Sequence, residues 1–325
     1  MSLSHVLTFQ EFVAQMQDEV RNKIDQEVTD EDMRYAIEGG KLLRPVMLIL
    51  SFKACSNGQH DRLYQKALES AVGIELAHSA SLLHDDIMDD DAVRRGKSAL
   101  HVKKGVGNAI LTGHRMISQA FRISVDHGLQ NARIFLDTWD DTLVGQLRDI
   151  DLNAHLEQIF EEENSTELLM QEYIRVIEMK TASLFATACR AGAIEAQASD
   201  EVRSTMAEYG RNVGLAYQIA DDMVDIAQGK MEEGIIMPLL KAFGTDVDQR
   251  TIELLEKGKL SIEEELEKKG TSLEEVYEQG ITRYVKRSQD IADSPAIPDS
   301  SYKVLLREAP VYITNKMTEK IGVTV

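Results

Sequence analysis

The residues with the clearest chemical character are aspartates, and they come in two runs. His84-Asp85-Asp86-Ile87-Met88-Asp89-Asp90-Asp91 is followed by Arg94-Arg95-Gly96, and Gln218-Ile219-Ala220-Asp221-Asp222-Met223-Val224-Asp225 repeats the DDxxD spacing later in the chain. On a helix, Asp85 and Asp89 share a face, as do Asp221 and Asp225, with Gln218 one turn earlier. Carboxylates crowded at a helix C-terminus repel one another and sit at the negative end of the macrodipole. A divalent cation offsets both effects. One run alone reads equally well as a solvated acidic face; two runs with the same spacing read as opposite walls of a metal site. Oxygen ligands with no cysteine nearby select Mg²⁺ over zinc, and the histidine of an ExxH di-iron site is absent. Mg²⁺ keeps several waters and is completed by substrate phosphates, so the pair of runs predicts a phosphorylated substrate.

Basic residues support that chemistry. The chain has 36 basic and 55 acidic residues among 325, a net charge of −19. Against this background Lys41 with Arg44, Arg94 with Arg95, and Lys180 beside Thr181 stand out. Each alone reads as a surface charge; together with the aspartates they read as a diphosphate clamp, arginine as a bidentate fork and lysine as a point charge. His78 lies two helical turns before Asp85, and a lone histidine there is more often a satisfied core residue. The acidic balance excludes a nonspecific nucleic-acid binder, which needs excess Lys and Arg. It also disfavours attachment to anionic lipid through a basic surface.

The elements that must position these residues are helices. No proline lies between Pro45 and Pro238, and Leu68, Val72, Leu76 and Ala80 recur at helical spacing, as do Leu215, Ile219, Met223 and Ile226. No period-2 strand bounded by turn residues is found. The expectation is an all-α, single-domain helical bundle of ten or more helices over residues 1–325. Breaks are expected at Gly39-Gly40, Ser56–Gly58, Gly105–Gly107, Asp126–Gly128, Glu161–Ser165, Gln228–Gly234 and Ser294–Ser301. Cys55 and Cys189 are too far apart to suggest a disulfide framework or a zinc site. The first residues show no leader pattern, and apolar runs such as Val46–Leu50 fall far short of the roughly 20 residues that span a bilayer. No stable membrane insertion and a cytoplasmic location are expected.

At this point the sequence resembles a known family, the trans-isoprenyl diphosphate synthases. Gly39-Gly40-Lys41-Leu42-Leu43-Arg44-Pro45 looks like its GGKxxRP motif, and Leu83 through Gly96 like its first aspartate-rich motif. Gly145-Gln146 with Asp149 resembles its GQxxD segment, Met179-Lys180-Thr181-Ala182 its KT motif, and Gln218–Asp225 its second aspartate-rich motif. The motifs come in the family's order across roughly Tyr35 to Leu240. The resemblance implies a bundle of the isoprenoid synthase type, usually a homodimer, that condenses isopentenyl diphosphate with an allylic diphosphate. It implies Mg²⁺, three ions per active site, on Asp85, Asp89 and Asp221 with Asp86, Asp222 and Asp225 supporting. Lys41, Arg44, His78 and Arg95 would hold isopentenyl diphosphate; Arg94, Lys180, Thr181, Gln218 and Lys230 would hold the allylic diphosphate. Asp85, Asp89, Arg94, Lys180 and Asp221 would carry catalysis.

The chain departs from the family pattern after Asp225, where the segment to Pro238 is short and offers one lysine, Lys230, with Ile235-Ile236 where a Lys/Thr pair is usual. Gly113-His114 stands where the family has Gly-Asp, read here as the start of the helix after the first motif. Three other functions fit part of the pattern. A class I terpene cyclase would not need the Lys41/Arg44 site, a noncatalytic subunit of a heteromeric synthase would not need both DDxxD runs, and a phosphohydrolase with paired Asp clusters would bring His ligands, which the sequence does not show. Ala77, Ala80 and Ser81, just before the first run, are small. In the resembling family, small residues there go with products longer than farnesyl diphosphate, so geranylgeranyl diphosphate is the expected product.

Overall fold

The structure is a computed structural model that describes residues 7–56, 61–160, 165–227 and 272–322, with 267, 268 and 270. Twelve α-helices fall among the described residues: α1 (Phe9–Glu27), α2 (Glu31–Ile37), α3 (Leu43–Ser56), α4 (Asp61–Met88), α5 (Leu100–Lys104), α6 (Val106–Asp126), α7 (Leu129–Phe160), α8 (Ser165–Ile177), α9 (Ser183–Glu195), α10 (Asp200–Ala227), α11 (Leu273–Ala292) and α12 (Lys303–Thr318). The fold is all-α, as the periodicity predicts. The described breaks at Gly39-Gly40, Gly105, His127-Gly128 and Ser294–Ser301 all separate helices, whereas Ser56 ends α3 and 57–58 lie outside the described residues. The expected breaks at 161–164 and 228–234 lie outside the described residues, as does Lys230. No described helix is long and apolar enough to cross a membrane.

One strand pair was not foreseen. Val93–Arg94 (β1) pairs antiparallel with Lys97–Ser98 (β2), Val93 opposite Ser98 and Arg94 opposite Lys97. Two-residue strands are too short to show alternation in a sequence, and their turn contains Arg95 at φ 53° and Gly96 at φ 75°.

The chain forms two compact units. The first comprises Met1–Trp139, Leu184–Gly210 and Ala292–Leu306; the second comprises Asp140–Ser183, Arg211–Ile291 and Arg307–Val325. In the first, α3 is buried nearly all round, with Val46 through Leu50 fully enclosed. Around it lie the apolar stripe of α1 (Phe9, Phe12, Met16, Val20), that of α4 (Ala67, Val72, Leu76, Ala80), and Leu184, Phe185 and Ala188 of α9. Helix α9 reaches α3 at a glycine: a Cβ on Gly192 would stand 2.2 Å from the Leu48 carbonyl oxygen. In the second unit Tyr173, Val176, Val213, Ile219 and Met223 form the core with Ile281 and Val285 of α11.

A correction concerns Gly113-His114. The pair lies within α6 rather than at its start. A Cβ at Gly113 would stand 2.5 Å from Nε2 of His84, so the glycine leaves room for that ring. The His114 ring tilts against it, centroids 5.4 Å apart.

Pro310 sits inside α12. It cannot donate to the carbonyl four residues earlier, that of Leu306. The Tyr209 hydroxyl, fully buried, donates to that oxygen instead at 2.7 Å. Removing the donor leaves a buried carbonyl short of a partner. Tyr209→Phe is therefore expected to cost about 1–3 kcal/mol in unfolding free energy, measured by urea denaturation. Wild-type stability in that variant would show that the Leu306 carbonyl is satisfied elsewhere.

Candidate active site

The first aspartate run closes α4. The amide of Asp89 still donates to the Asp85 carbonyl (2.9 Å), and that of Asp91 reaches back to Asp86 (2.9 Å). Asp90 between them is left-handed, φ 54°. This is the six-to-one closure of a Schellman turn, made here with aspartate, which tolerates that conformation better than most side chains. Asp85 is half-buried and Asp89 exposed, whereas Asp86 is only 1% exposed. Oδ1 of Asp86 accepts from Nε of Arg94 at 2.5 Å, and Nη2 of Arg94 also reaches Asp91 at 2.9 Å. The β hairpin thus delivers Arg94 to the buried carboxylate. Burial pushes the Asp86 pKa up, against the pull of Arg94. Its Oδ2 is buried with no hydrogen-bond partner.

The second run repeats the arrangement on α10. Asp221 and Asp225 are half-buried, and Asp222, between them in sequence, is 2% exposed. Both Asp222 oxygens are occupied: Oδ1 accepts from Nε2 of Gln218 (2.8 Å) and Oδ2 from the Tyr173 hydroxyl (2.5 Å). Burial, only partly offset by these donors, raises its pKa to about 7. The amide oxygen of Gln218 in turn accepts from Thr181 Oγ1 (2.7 Å). Gln218 and Thr181, expected as diphosphate ligands, form with Tyr173 the brace of Asp222.

Lys180 and Thr181 stand in a π-helical turn, Glu178–Ala182, between α8 and α9. Such single turns are frequent at functional sites because they redirect side chains within a continuous helix. Two segments of the sequence interlock here. Nζ of Lys180 pairs with Asp149 at 2.5 Å. Gly145, one turn earlier on α7, lies so close that a Cβ would stand 2.7 Å from Cβ of Met179 and 3.0 Å from the Lys180 amide nitrogen.

The Lys41–Arg44 segment forms a turn and the start of α3. Gly39 has φ 81° and Leu42 φ 52°. Lys41 is exposed; Arg44 is buried, its guanidinium 4.7 Å above the Phe185 ring. Arg44 Nη1 donates to Nε2 of His78 at 3.0 Å, so Nε2 is the acceptor and the ring proton sits on Nδ1. Burial holds the His78 pKa well below the usual range, and the positive charges of Arg44, Arg95 and Arg94 lower it further. His78 is therefore neutral and orients Arg44. Arg95 Nη1 donates to the carbonyls of Ala36 (3.1 Å) and Ile37 (2.7 Å), capping the last turn of α2. Its Nη2 lies 3.6 Å from Glu75, a residue of α4 that is 1% exposed.

Glu75, Tyr173 and the pairing of Asp149 with Lys180 were not anticipated from the sequence. Glu75 had a signal, an acid within the otherwise apolar stretch Ala71–Ala77 of α4. Tyr173 had none: a tyrosine at helical spacing reads as core. Among the described residues no three His, Cys, Asp or Glu side chains already converge as a metal cage. The donor set nevertheless suits Mg²⁺. It is oxygen-only, each run offers two accessible carboxylates one turn apart, and Asp86 carries an unpartnered oxygen.

The helical fold and the two braced DDxxD turns define the isoprenyl synthase class of all-α proteins. The sequence profile of the polyprenyl synthetase family matches residues 26–286, and the chain belongs to that family. A geranylgeranyl diphosphate synthase of Methanosarcina mazei is 38% identical over 59% of this chain; the match spans 57% of that relative's own length. A short chain isoprenyl diphosphate synthase of Methanothermobacter thermautotrophicus is 33% identical over 74% of this chain and 71% of that one. The crystal structure of geranylgeranyl pyrophosphate synthetase from Pyrococcus horikoshii superposes with a TM-score of 0.69 at 25% identity, covering 94% of this chain and 98% of that one.

The interlock of α7 with the π turn makes a testable demand. Gly145→Ala must push Met179 and Lys180 away, an overpacking worth about 1–3 kcal/mol, and with them the Lys180 ammonium. Gly107→Ala, at a helical site with nothing within 4 Å, is the matched control. Thermal melts and steady-state turnover should show a loss for the first and none for the second. Equal behaviour of the two would refute the close contact.

Proposed function

We propose that the chain is a Mg²⁺-dependent prenyltransferase that joins isopentenyl diphosphate to an allylic diphosphate, with geranylgeranyl diphosphate as the product. The observation that carries this reading is the shared construction of the two aspartate runs. In each, a buried middle carboxylate is braced by neutral or cationic donors, while the first and fifth carboxylates keep access to solvent. In this reading Asp85 and Asp89 of one run and Asp221 and Asp225 of the other would hold Mg²⁺, with Asp86 and Asp222 fixing the turns that present them; three ions are what the resemblance implies. Bound Mg²⁺ would supply charge stabilisation for a departing diphosphate.

The chain's own residues account for the rest. Heterolysis of an allylic C–O bond places charge on the leaving diphosphate, and Lys180 with Arg94 offers fixed cations for it. Lys41, Arg44 and Arg95 serve the second substrate, whose diphosphate is retained, with neutral His78 orienting Arg44. No protein nucleophile is needed, because the double bond of isopentenyl diphosphate attacks the allylic carbon and the released diphosphate accepts the final proton. A dedicated second cationic segment favours condensation over the cyclase reading. Lys230, outside the described residues, remains a candidate for the allylic diphosphate.

Assembly belongs to the same reading. Val106 and Ile110 on α6 and Leu129, Leu136, Leu143 and Leu147 on α7 are exposed. Leu129, Leu136, Leu143 and Leu147 recur at spacings of seven, seven and four along one face of α7, an apolar stripe that supports a homodimer of single catalytic domains. Two free thiols fit a reducing, cytoplasmic setting.

Two predictions test this function. Asp85→Ala and Asp221→Ala should each lower turnover by several orders of magnitude in assays with both diphosphates and Mg²⁺, and chelation should abolish wild-type activity. Near-normal turnover in either purified variant would sink the assignment. Product length provides the other test. Ala77 and Ala80 are buried on α4 within two turns of Asp85, and a large ring at Ala80 should block a growing chain. Ala80→Phe is expected to shorten the product by one or more five-carbon units, read by chromatography of the dephosphorylated alcohols, with melting curves run alongside. An unchanged product length in a folded variant would remove Ala80 from the chain's path.

A further inference from the structure

We propose that Glu75 is a positioning residue for the isopentenyl diphosphate site: its buried carboxylate holds Arg95, and through Arg95 the Gly39–Arg44 turn, in the conformation that binds the diphosphate. This rests on the reading that Lys41, Arg44 and Arg95 serve that substrate.

Four interactions converge on this acid. Oε1 accepts from Ser79 Oγ at 3.1 Å and lies 3.6 Å from Nη2 of Arg95. Arg44 contributes a second positive charge in its vicinity, and both arginines oppose the rise in pKa that burial imposes. The fourth interaction is with backbone: a Cβ on Gly40 would stand 3.0 Å from Oε1 of Glu75 and 3.0 Å from Nη1 of Arg95. The turn that carries Lys41 therefore rests directly on the Glu75–Arg95 pair, and only glycine lets it come so near. Arg95 is itself left-handed (φ 53°) and ties its guanidinium to the last carbonyls of α2, immediately before that turn. One guanidinium thus joins the hairpin, α2 and the turn, and Glu75 is the anion beside it.

Stability is a poor account of such a residue. An apolar side chain in this stretch of α4 would avoid the cost of desolvating a carboxylate, and replacing buried ion pairs by well-packed apolar groups is often neutral or stabilising. Simple electrostatics also points the wrong way. Removing a negative charge near a diphosphate site should tighten binding, whereas a positioning role predicts that binding weakens.

Glu75→Gln separates the two, because it keeps the shape and can still accept from Ser79 while the charge is lost. The variant should raise both KM and the calorimetric Kd for isopentenyl diphosphate by about tenfold or more, the size of one charge-assisted contact. KM for the allylic diphosphate and the melting temperature should stay near wild type. Gly40→Ala, which presses on the same pair from the other side, should give the same split between the two substrates. Unchanged or tighter isopentenyl diphosphate binding in Glu75→Gln, or equal losses for both substrates, would overturn the proposal while leaving the prenyltransferase reading intact. A wild-type protein that neither turns over nor binds isopentenyl diphosphate would overturn both.

Discussion

Like-charge repulsion is the constraint on which the site depends. A DDxxD run puts carboxylates side by side on one helical turn, and the turn must hold its shape before any cation neutralises it. The chain meets this with a buried central acid and a dedicated brace. Asp86 is held by Arg94, and Asp222 by Tyr173 and Gln218. The remaining elements are the supports of those braces. The two-residue hairpin exists where Arg94 must reach back to α4. The π turn places Thr181 where it can donate to Gln218 and so complete the brace of Asp222. The braces differ in kind, since a guanidinium holds Asp86 and neutral donors hold Asp222, although both carboxylates are almost fully buried.

The cations are presented in the same pre-ordered way. Lys180 is paired with Asp149, Arg94 with Asp86 and Asp91, and Arg95 lies against Glu75. Long basic side chains lose considerable rotamer freedom when they engage a ligand. Here much of that ordering occurs during folding, so in the proposed function a diphosphate would meet cations already extended and aimed. The counter-ions also limit how strongly these cations attract anions in general.

Much of the local structure was legible in the sequence. Helical spacing from Leu68 to Ala80 marks α4, and the aspartates that follow mark its end. The double glycine before Lys41 marks the turn into α3. What was not legible depends on contacts between distant segments. Gly113 was expected at a helix start because the resembling family has Gly-Asp there; it lies in mid-helix, where the His84 ring occupies the space a Cβ would need. Arg95, a candidate phosphate ligand, has a further task that the sequence did not show: its guanidinium caps α2. Gln218 and Thr181 looked like ligands too; Gln218 donates to Asp222, and Thr181 donates to Gln218. In each case residue type indicated a polar task, and only tertiary structure shows which partner takes the hydrogen bond.

Those contacts also explain why the motifs have the composition they do. Gly40, Gly113 and Gly145 share one circumstance: each lies where a functional or supporting side chain crosses a helix or turn at contact distance, namely Arg95 with Glu75, His84, and Lys180. None of the three needs a left-handed backbone, so the requirement is for space and not for conformational freedom. Gly96 and Gly105 present the opposite case, with positive φ and nothing nearby. The short sequence motifs are therefore halves of contacts. The glycine turn at 39–45 is one half and Arg95 with Glu75 the other; the segment 145–149 is one half and the π turn at 178–182 the other. Substituting one half should mimic damage to its mate, a relation that a reading of either motif alone cannot supply.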